Sequence, residues 1–278
     1  MLESLKNRWP EYLIEAWCLG TFMVSASVFG VLLFHPSSPT AFISFNTRNI
    51  LMGLAMGLTA IGIICSPWGK RSGAHFNPAV TLAFLRLGKI AWADACFYVA
   101  AHFAGGILGM LLSRIVLGDL LAAQAVNFVV TVPGRLGATG AFAAEVAISF
   151  LMMTVILNSG NSARWSRLTP YLAGALLTLF ISLTSTISGT SLNPARTFAS
   201  AVVGGVWSGW WIYFAAPVIA MLAAAEIFVA TRGLKAVLCA RFRHNGKARC
   251  IFRCAYCAKG IVEATKQPQI FRAISGLL

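Results

Sequence analysis

Long apolar stretches alternate with short polar ones along this chain. The apolar runs extend from about Tyr12 to Phe34, Ile50 to Ile64, Trp92 to Ile115, Ala138 to Leu157, Leu168 to Ile187 and Trp210 to Thr231. Runs of this length predict helices that cross a bilayer, because a hydrocarbon core of about 30 Å needs about 20 apolar residues. The breaks between them read as turns, as in His35-Pro36-Ser37-Ser38-Pro39 and the polar stretch Asn158 to Arg167. Gly53 and Gly57, then Gly105, Gly106 and Gly109, place small residues where helix backbones can approach closely. Trp207, Trp210 and Trp211 sit where an interfacial anchor is expected.

Two stretches depart from this plan in the same way. Ser72-Gly73-Ala74-His75-Phe76-Asn77-Pro78-Ala79-Val80 follows the second run, and Ser188-Gly189-Thr190-Ser191-Leu192-Asn193-Pro194-Ala195-Arg196 follows the fifth. Asn is a good N-cap and Pro suits the first helical position, so each Asn-Pro-Ala predicts the start of a short helix. Inside so apolar a chain these are half-helices that enter the bilayer with their positive ends inward. The order of parts also repeats: a span carrying a glutamate (Glu15, then Glu145), a second span, a half-helix, a third span. Three spans per half make the second half enter from the opposite side, so the two motifs meet near the midplane. The predicted fold is therefore an all-α membrane protein, with six transmembrane helices and two re-entrant half-helices in an inverted repeat around a central pore. Its parts are an N-terminal arm (1–10), a first half-repeat (11–116), a connecting loop (117–137), a second half-repeat (138–232) and a basic, Cys-containing tail (233–278).

Composition agrees, with 58% of residues hydrophobic and 11% charged, against about 25% charged in an average soluble domain. The net charge of +14 raises nucleic acid as a partner, but ten of the 22 Lys and Arg lie from Arg232 onward, facing one acid, Glu263. That block reads as a tail at an anionic membrane surface, and no nucleic-acid module is visible. With the N-terminus inside, eighteen Lys and Arg fall on inner segments and four (Arg48, Arg114, Arg135, Arg196) on outer ones. The positive-inside rule thus puts both termini in the cytoplasm, with the chain a multi-pass protein of the plasma (cytoplasmic) membrane.

Glu15 and Glu145 admit two readings. An intramembrane acid often marks an ion path, which makes a proton-coupled secondary transporter the alternative of a different class. The reading favoured here is structural: each carboxylate accepts hydrogen bonds from otherwise unpaired N–H groups of a re-entrant loop. His75 is expected to brace its loop and His102 to be a packing residue. No nucleophile–base pair, acid pair or metal signature lies within the spans, so no enzyme activity and no cofactor are expected.

With the two motifs in opposite halves, each preceded by Ser-Gly and the second followed by Arg, residues 11–232 resemble the aquaporins, the major intrinsic protein family. The resemblance implies a passive water channel that excludes protons and ions, assembled as a homotetramer in lipid. It implies a pore motif of Asn77, Pro78, Ala79, Asn193, Pro194 and Ala195, with both asparagine amides donating to one central water. The carbonyls of Gly73, Ala74 and His75 form one ladder, and those of Gly189, Thr190 and Ser191 the other. The selectivity filter becomes Met56, Ile181, Thr190 and Arg196. Ile181 stands where water channels usually carry His, which leaves an apolar flank beside the arginine. Thr197, Ala201 and the pair Tyr213-Phe214 lack the marks of glycerol facilitators. Water is thus the expected solute, small uncharged solutes are a further one, and a facilitator of glycerol, urea or similar neutral solutes is the alternative.

In the tail, His244, Cys250, Cys254 and Cys257 offer four soft or borderline ligands. Their spacing is not a common finger pattern, so the expectation is no metal and a basic tail, disordered or lying on the membrane, with incidental thiols. Cys18, Cys65 and Cys96 read as packing residues.

Overall fold

The structure, a computed structural model, describes residues 1–244 and 250–256. Among these the regular structure is all helix, without a strand. Six helices are long and apolar enough to cross a membrane: α1 (Leu2–Phe34), α2 (Phe45–Cys65), α5 (Trp92–Leu117), α7 (Gly137–Gly160), α8 (Thr169–Ser188) and α10 (Trp210–Arg232). Between them lie the short α3 (Pro67–Ser72), α4 (Pro78–Arg86), α6 (Asp119–Ala122) and α9 (Pro194–Gly204).

Helix α2 and three of the short helices start at a capping side chain. Asn77 caps α4 by accepting from the Ala79 N–H at 2.9 Å, and Asn193 caps α9 by accepting from Ala195 at 3.0 Å. Pro78 and Pro194 follow at the first helical position, where the missing donor costs nothing. Helix α2 begins five residues before its apolar run because Ser44 accepts from the Thr47 N–H at 3.3 Å, which carries polar Asn46 to Arg48 into the first turns. Residues 1–10, expected as an arm, instead extend α1 from Leu2. The extension is tied down by an ion pair of Arg8 with Asp94 and a 2.7 Å hydrogen bond from the Tyr12 hydroxyl to the same carboxylate.

Packing reveals the repeat. Helix α1 lies along α5, and its counterpart α7 lies along α10. The half-helix of each half packs on the third span of the other: α9 on α5, and α4 on α10. Helices α2 and α8 are each other's counterparts and pack on one another across the seam. Close approach there depends on Gly57 and Gly174, since a Cβ on Gly57 would sit 2.5 Å from the Gly174 carbonyl and one on Gly174 would sit 2.8 Å from the Gly57 carbonyl. Large apolar side chains such as Leu54, Leu58, Ile115 and Leu183 are left on the outer surface. For a chain with six such helices that surface faces lipid.

The connection from 117 to 137 is more than a loop. Leu121, Val126 and Phe128 are buried, and the N–H groups of Gly134 and Arg135 bond to the Ile187 and Thr186 carbonyls at the end of α8. The segment therefore roofs one end of the molecule. The opposite end carries both described chain ends.

Candidate functional site

The two re-entrant loops share an unusual backbone. Gly73, Ala74 and Phe76 have φ of 105°, 55° and 32°, and Gly189, Thr190 and Leu192 have φ of 76°, 54° and 55°. Left-handed residues at the same places in both loops turn successive N–H groups to one side and carbonyls to the other. Only glycine takes the first position cheaply, whereas the non-glycine residues are held there against their preference.

The glutamates supply that hold. Glu15 accepts from the His75 N–H at 3.2 Å, the Phe76 N–H at 2.7 Å and His102 Nε2 at 2.8 Å. Glu145 accepts from the Ser191 and Leu192 N–H groups, each at 2.8 Å, and from the Ser188 hydroxyl at 2.7 Å. Both carboxylates are fully buried, and neither lines either of the two cavities described below. Two further braces come from residues to which sequence reasoning assigned no bracing role. Tyr98 donates to the Ser72 carbonyl at 2.6 Å, and Tyr213 donates to the Ser188 carbonyl at 2.7 Å. A signal was present: the tyrosines follow their motif asparagines by 21 (98 − 77) and 20 (213 − 193) residues. Thr81 and Thr197 are a second such pair, bonded to His75 Nδ1 at 3.0 Å and to the Ser191 hydroxyl at 2.6 Å.

Where the loops meet, each asparagine bonds to the other loop. Asn77 Nδ2 donates to the Leu192 carbonyl, and Asn193 Nδ2 donates to the Phe76 carbonyl, both at 2.8 Å. Each amide keeps one further hydrogen beyond this bond. The N-termini of α4 and α9 are thus fastened to one another.

Two cavities run along this axis. The one beneath the roof has a volume of about 270 Å³, and the four filter positions Met56, Ile181, Thr190 and Arg196 all line it, with Gly189 and Ser191. The other has about 70 Å³ and is lined by His75, Asn77, Asn193 and mostly apolar side chains. Phe22, Leu177 and Ser191 border both. Arg196 is only 9% exposed, and its Nη1 has no hydrogen-bond partner among the described residues. Gly73 and Ala74 do not line either cavity, and the Gly73 carbonyl accepts from the Phe242 N–H at 3.2 Å.

That bond comes from the tail, whose described part departs from expectation. Residues 237–244 and 250–256 fold back over the end of the small cavity, with Val237 to Phe242 all buried and Phe242 in the cavity wall. His75 Nε2 bonds to the Ala240 carbonyl at 2.9 Å, and the His75 ring stacks on Phe252 at 5.3 Å. The physical reason is composition. Between the arginines this segment carries enough apolar side chains (Val237, Leu238, Phe242, Ile251, Phe252) to be drawn out of water. His244, Cys250 and Cys254 come together here with Cys239, which is not among the four ligands expected from the sequence. Cys257 lies outside the described residues.

Paired half-helices inside a six-helix apolar bundle, with cavities on either side of their contact, define a multi-pass membrane channel. Comparison with known proteins agrees. The family model described as major intrinsic protein matches residues 3–228, and the chain belongs to that family. It is similar to a probable aquaporin of the NIP type from Nicotiana alata, 31% identical over 74% of this chain and 80% of that protein. It is also similar to the probable aquaporin NIP7-1 of Arabidopsis thaliana, 30% identical over 76% of this chain and 73% of the other. The fold matches that of the aquaglyceroporin from Plasmodium falciparum, with a TM-score of 0.65 over 79% of this chain and 94% of that one at 18% identity. The protein is a channel and not an enzyme.

Proposed function

We propose that this channel passes water down an osmotic gradient, excludes protons and ions, and admits some small uncharged solutes. The observation that carries this reading is the reciprocal bonding of Asn77 and Asn193 to the opposing loops, which sets two helix N-termini against one another between the cavities. Each N-terminus carries about half a positive charge. A cation meeting both has lost most of its hydration and gains no anion, so it is repelled. A neutral water loses only hydrogen bonds, which the free amide hydrogens and loop carbonyls replace. Because the central water would accept from both amides, it cannot also accept a proton along a continuous wire.

The wall around Arg196 favours a tolerant filter. Met56 and Ile181 present hydrocarbon opposite the guanidinium, and the cavity they line is mainly apolar. A glycerol- or urea-passing facilitator is therefore the second reading. The transporter reading has less support, because both glutamates already accept at least three hydrogen bonds and stand away from the cavities. The charge distribution favours both termini on the cytoplasmic side, which makes the tail-covered mouth the inner one. A homotetramer in the membrane is proposed from the family resemblance.

Stopped-flow shrinkage of proteoliposomes tests the reading. Under sucrose, vesicles holding the protein should shrink faster than empty ones, and a pH gradient across them should decay no faster than in empty vesicles. Influx of glycerol and urea in the same preparation decides between the two solute ranges. Shrinkage no faster than in empty vesicles would remove water as the substrate.

A further inference from the structure

The tail holds a constellation that the channel mechanism does not use. Cys239 Sγ, a nitrogen of His244, Cys250 Sγ and Cys254 Sγ all lie within 4.8 Å of one another. Two of the separations are 3.6 Å (Cys239 to Cys250) and 3.1 Å (Cys254 Sγ to His244 Nε2). A tetrahedral zinc with bonds of about 2.3 Å to sulfur and about 2.0 Å to nitrogen has ligand–ligand edges of about 3.5 to 3.8 Å. Two of the six edges are therefore already close to those of such a site, and the other four are at most about 1 Å longer.

We propose that Cys239, His244, Cys250 and Cys254 bind one zinc ion, and that the ion fastens the tail across the mouth of the channel. The metal site rests on its own geometry; its effect on flux rests on the channel reading above.

Three observations carry the proposal beyond the distances. First, the segment they tie is irregular yet buried: the described residues from Val237 to Tyr256 contain neither helix nor strand, while Val237 to Phe242 are all buried. Such a segment gains little from regular backbone pairing, and small irregular folds of this kind are commonly held by a metal. Second, the ligands come from both arms of the fold-back, and the chain around them grips parts of both half-repeats. Arg241 donates to the Arg71 carbonyl at 3.1 Å, and the Leu238 N–H donates to Asn161 Oδ1 at 2.6 Å. The Arg253 N–H donates to the Lys89 carbonyl at 3.0 Å, and the Tyr256 hydroxyl donates to the Gly160 carbonyl. A bond between the arms would lock all of these at once. Third, the charge fits. Binding deprotonates three thiols, so the occupied site carries 2 − 3 = −1, and it lies in a stretch bearing Arg241, Arg243 and Arg253. The His244 ring, stacked on Tyr256 at 4.9 Å, is already oriented.

A Cys239–Cys250 disulfide is the competing chemistry for two of these thiols. It would leave Cys254 and His244 beside one another without a role, whereas a single metal ion uses all four.

The test uses the full-length protein, purified in detergent, loaded with zinc and freed of excess. Elemental analysis should find about one zinc per chain, falling below about 0.1 in the double variant C250S/C254S and returning in H244C, which offers four thiolates. Cobalt exchanged into the wild-type protein should give thiolate-to-cobalt charge-transfer and tetrahedral d–d bands, a readout that needs no variant to fold. Fewer than about 0.2 zinc per chain, cobalt spectra without thiolate bands, or a Cys239–Cys250 disulfide in non-reduced peptide mass spectra would overturn the site. In proteoliposomes, stripping the metal should raise water permeability about threefold or more, reversibly on adding zinc back. Unchanged permeability with zinc bound and lost would overturn the fastening role. No permeability in either state, with the zinc count intact, would instead count against the channel reading.

Discussion

At the scale of single residues, the strongest constraint is the pairing of a buried carboxylate with N–H groups that have no other partner. Glu145 serves two of them, and each would cost about 1–3 kcal/mol if left unpaired away from water. Glu145→Leu should therefore lower stability by about 2–6 kcal/mol, read as a clear drop in the thermal unfolding midpoint in detergent. Because the carboxylate does not border either cavity, Glu145→Gln, where it folds, should conduct water without any pH dependence arising at that position. A proton-coupled flux abolished by that change would restore the transporter reading. Arg196 differs in kind, since it lines the larger cavity and its Nη1 has no hydrogen-bond partner among the described residues. Arg196→Val should preserve water flow while admitting larger neutral solutes, seen as faster glycerol and urea entry into vesicles. The tyrosine braces are milder. Tyr98→Phe or Tyr213→Phe removes one buried hydrogen bond, costing about 1 kcal/mol in unfolding measurements.

At the scale of elements, the half-helices and the seam between α2 and α8 govern the design. Two short helices meet at their positive ends because each N-cap side chain uses its oxygen on its own helix and its amide hydrogen on the other loop. The seam allows that meeting only while it stays thin. Gly57→Val would place carbon against the Gly174 carbonyl and force the helices apart. It should cost about 1–3 kcal/mol and reduce water permeability per folded chain, which quantitative blotting alongside stopped-flow would reveal. How far these elements were legible varies by case. The spans were readable because a bilayer imposes a length on any apolar run. The half-helices were readable because Asn-Pro is a local capping signal. The helical arm at residues 1–10 and the early start of α2 were not, because both depend on partners distant in sequence (Asp94) or on a cap weighed only once its bond is seen (Ser44).

At the scale of the whole molecule, the inverted repeat puts one conduction path on the axis, and the tail and the 117–137 connection stand at its two ends. Phe242 is in the wall of the 70 Å³ cavity, so Phe242→Ala should enlarge that cavity and raise water flux without loosening the tail's metal ligands. Flux and zinc content measured on one preparation check both halves of that expectation.

Taken alone, the amino-acid sequence determined the membrane solvent, the number of spans and the duplicated motif. All of these follow from local quantities: run length, capping chemistry and spacing. Only the tertiary structure decided that Glu15 draws in His102, that two tyrosines brace the loops, and that a basic tail turns inward to cover a mouth and gather four ligand atoms. Those facts depend on contacts between residues far apart along the chain. The matched spacing of the two tyrosines marks them as counterparts, but spacing does not say which distant groups will share one small volume.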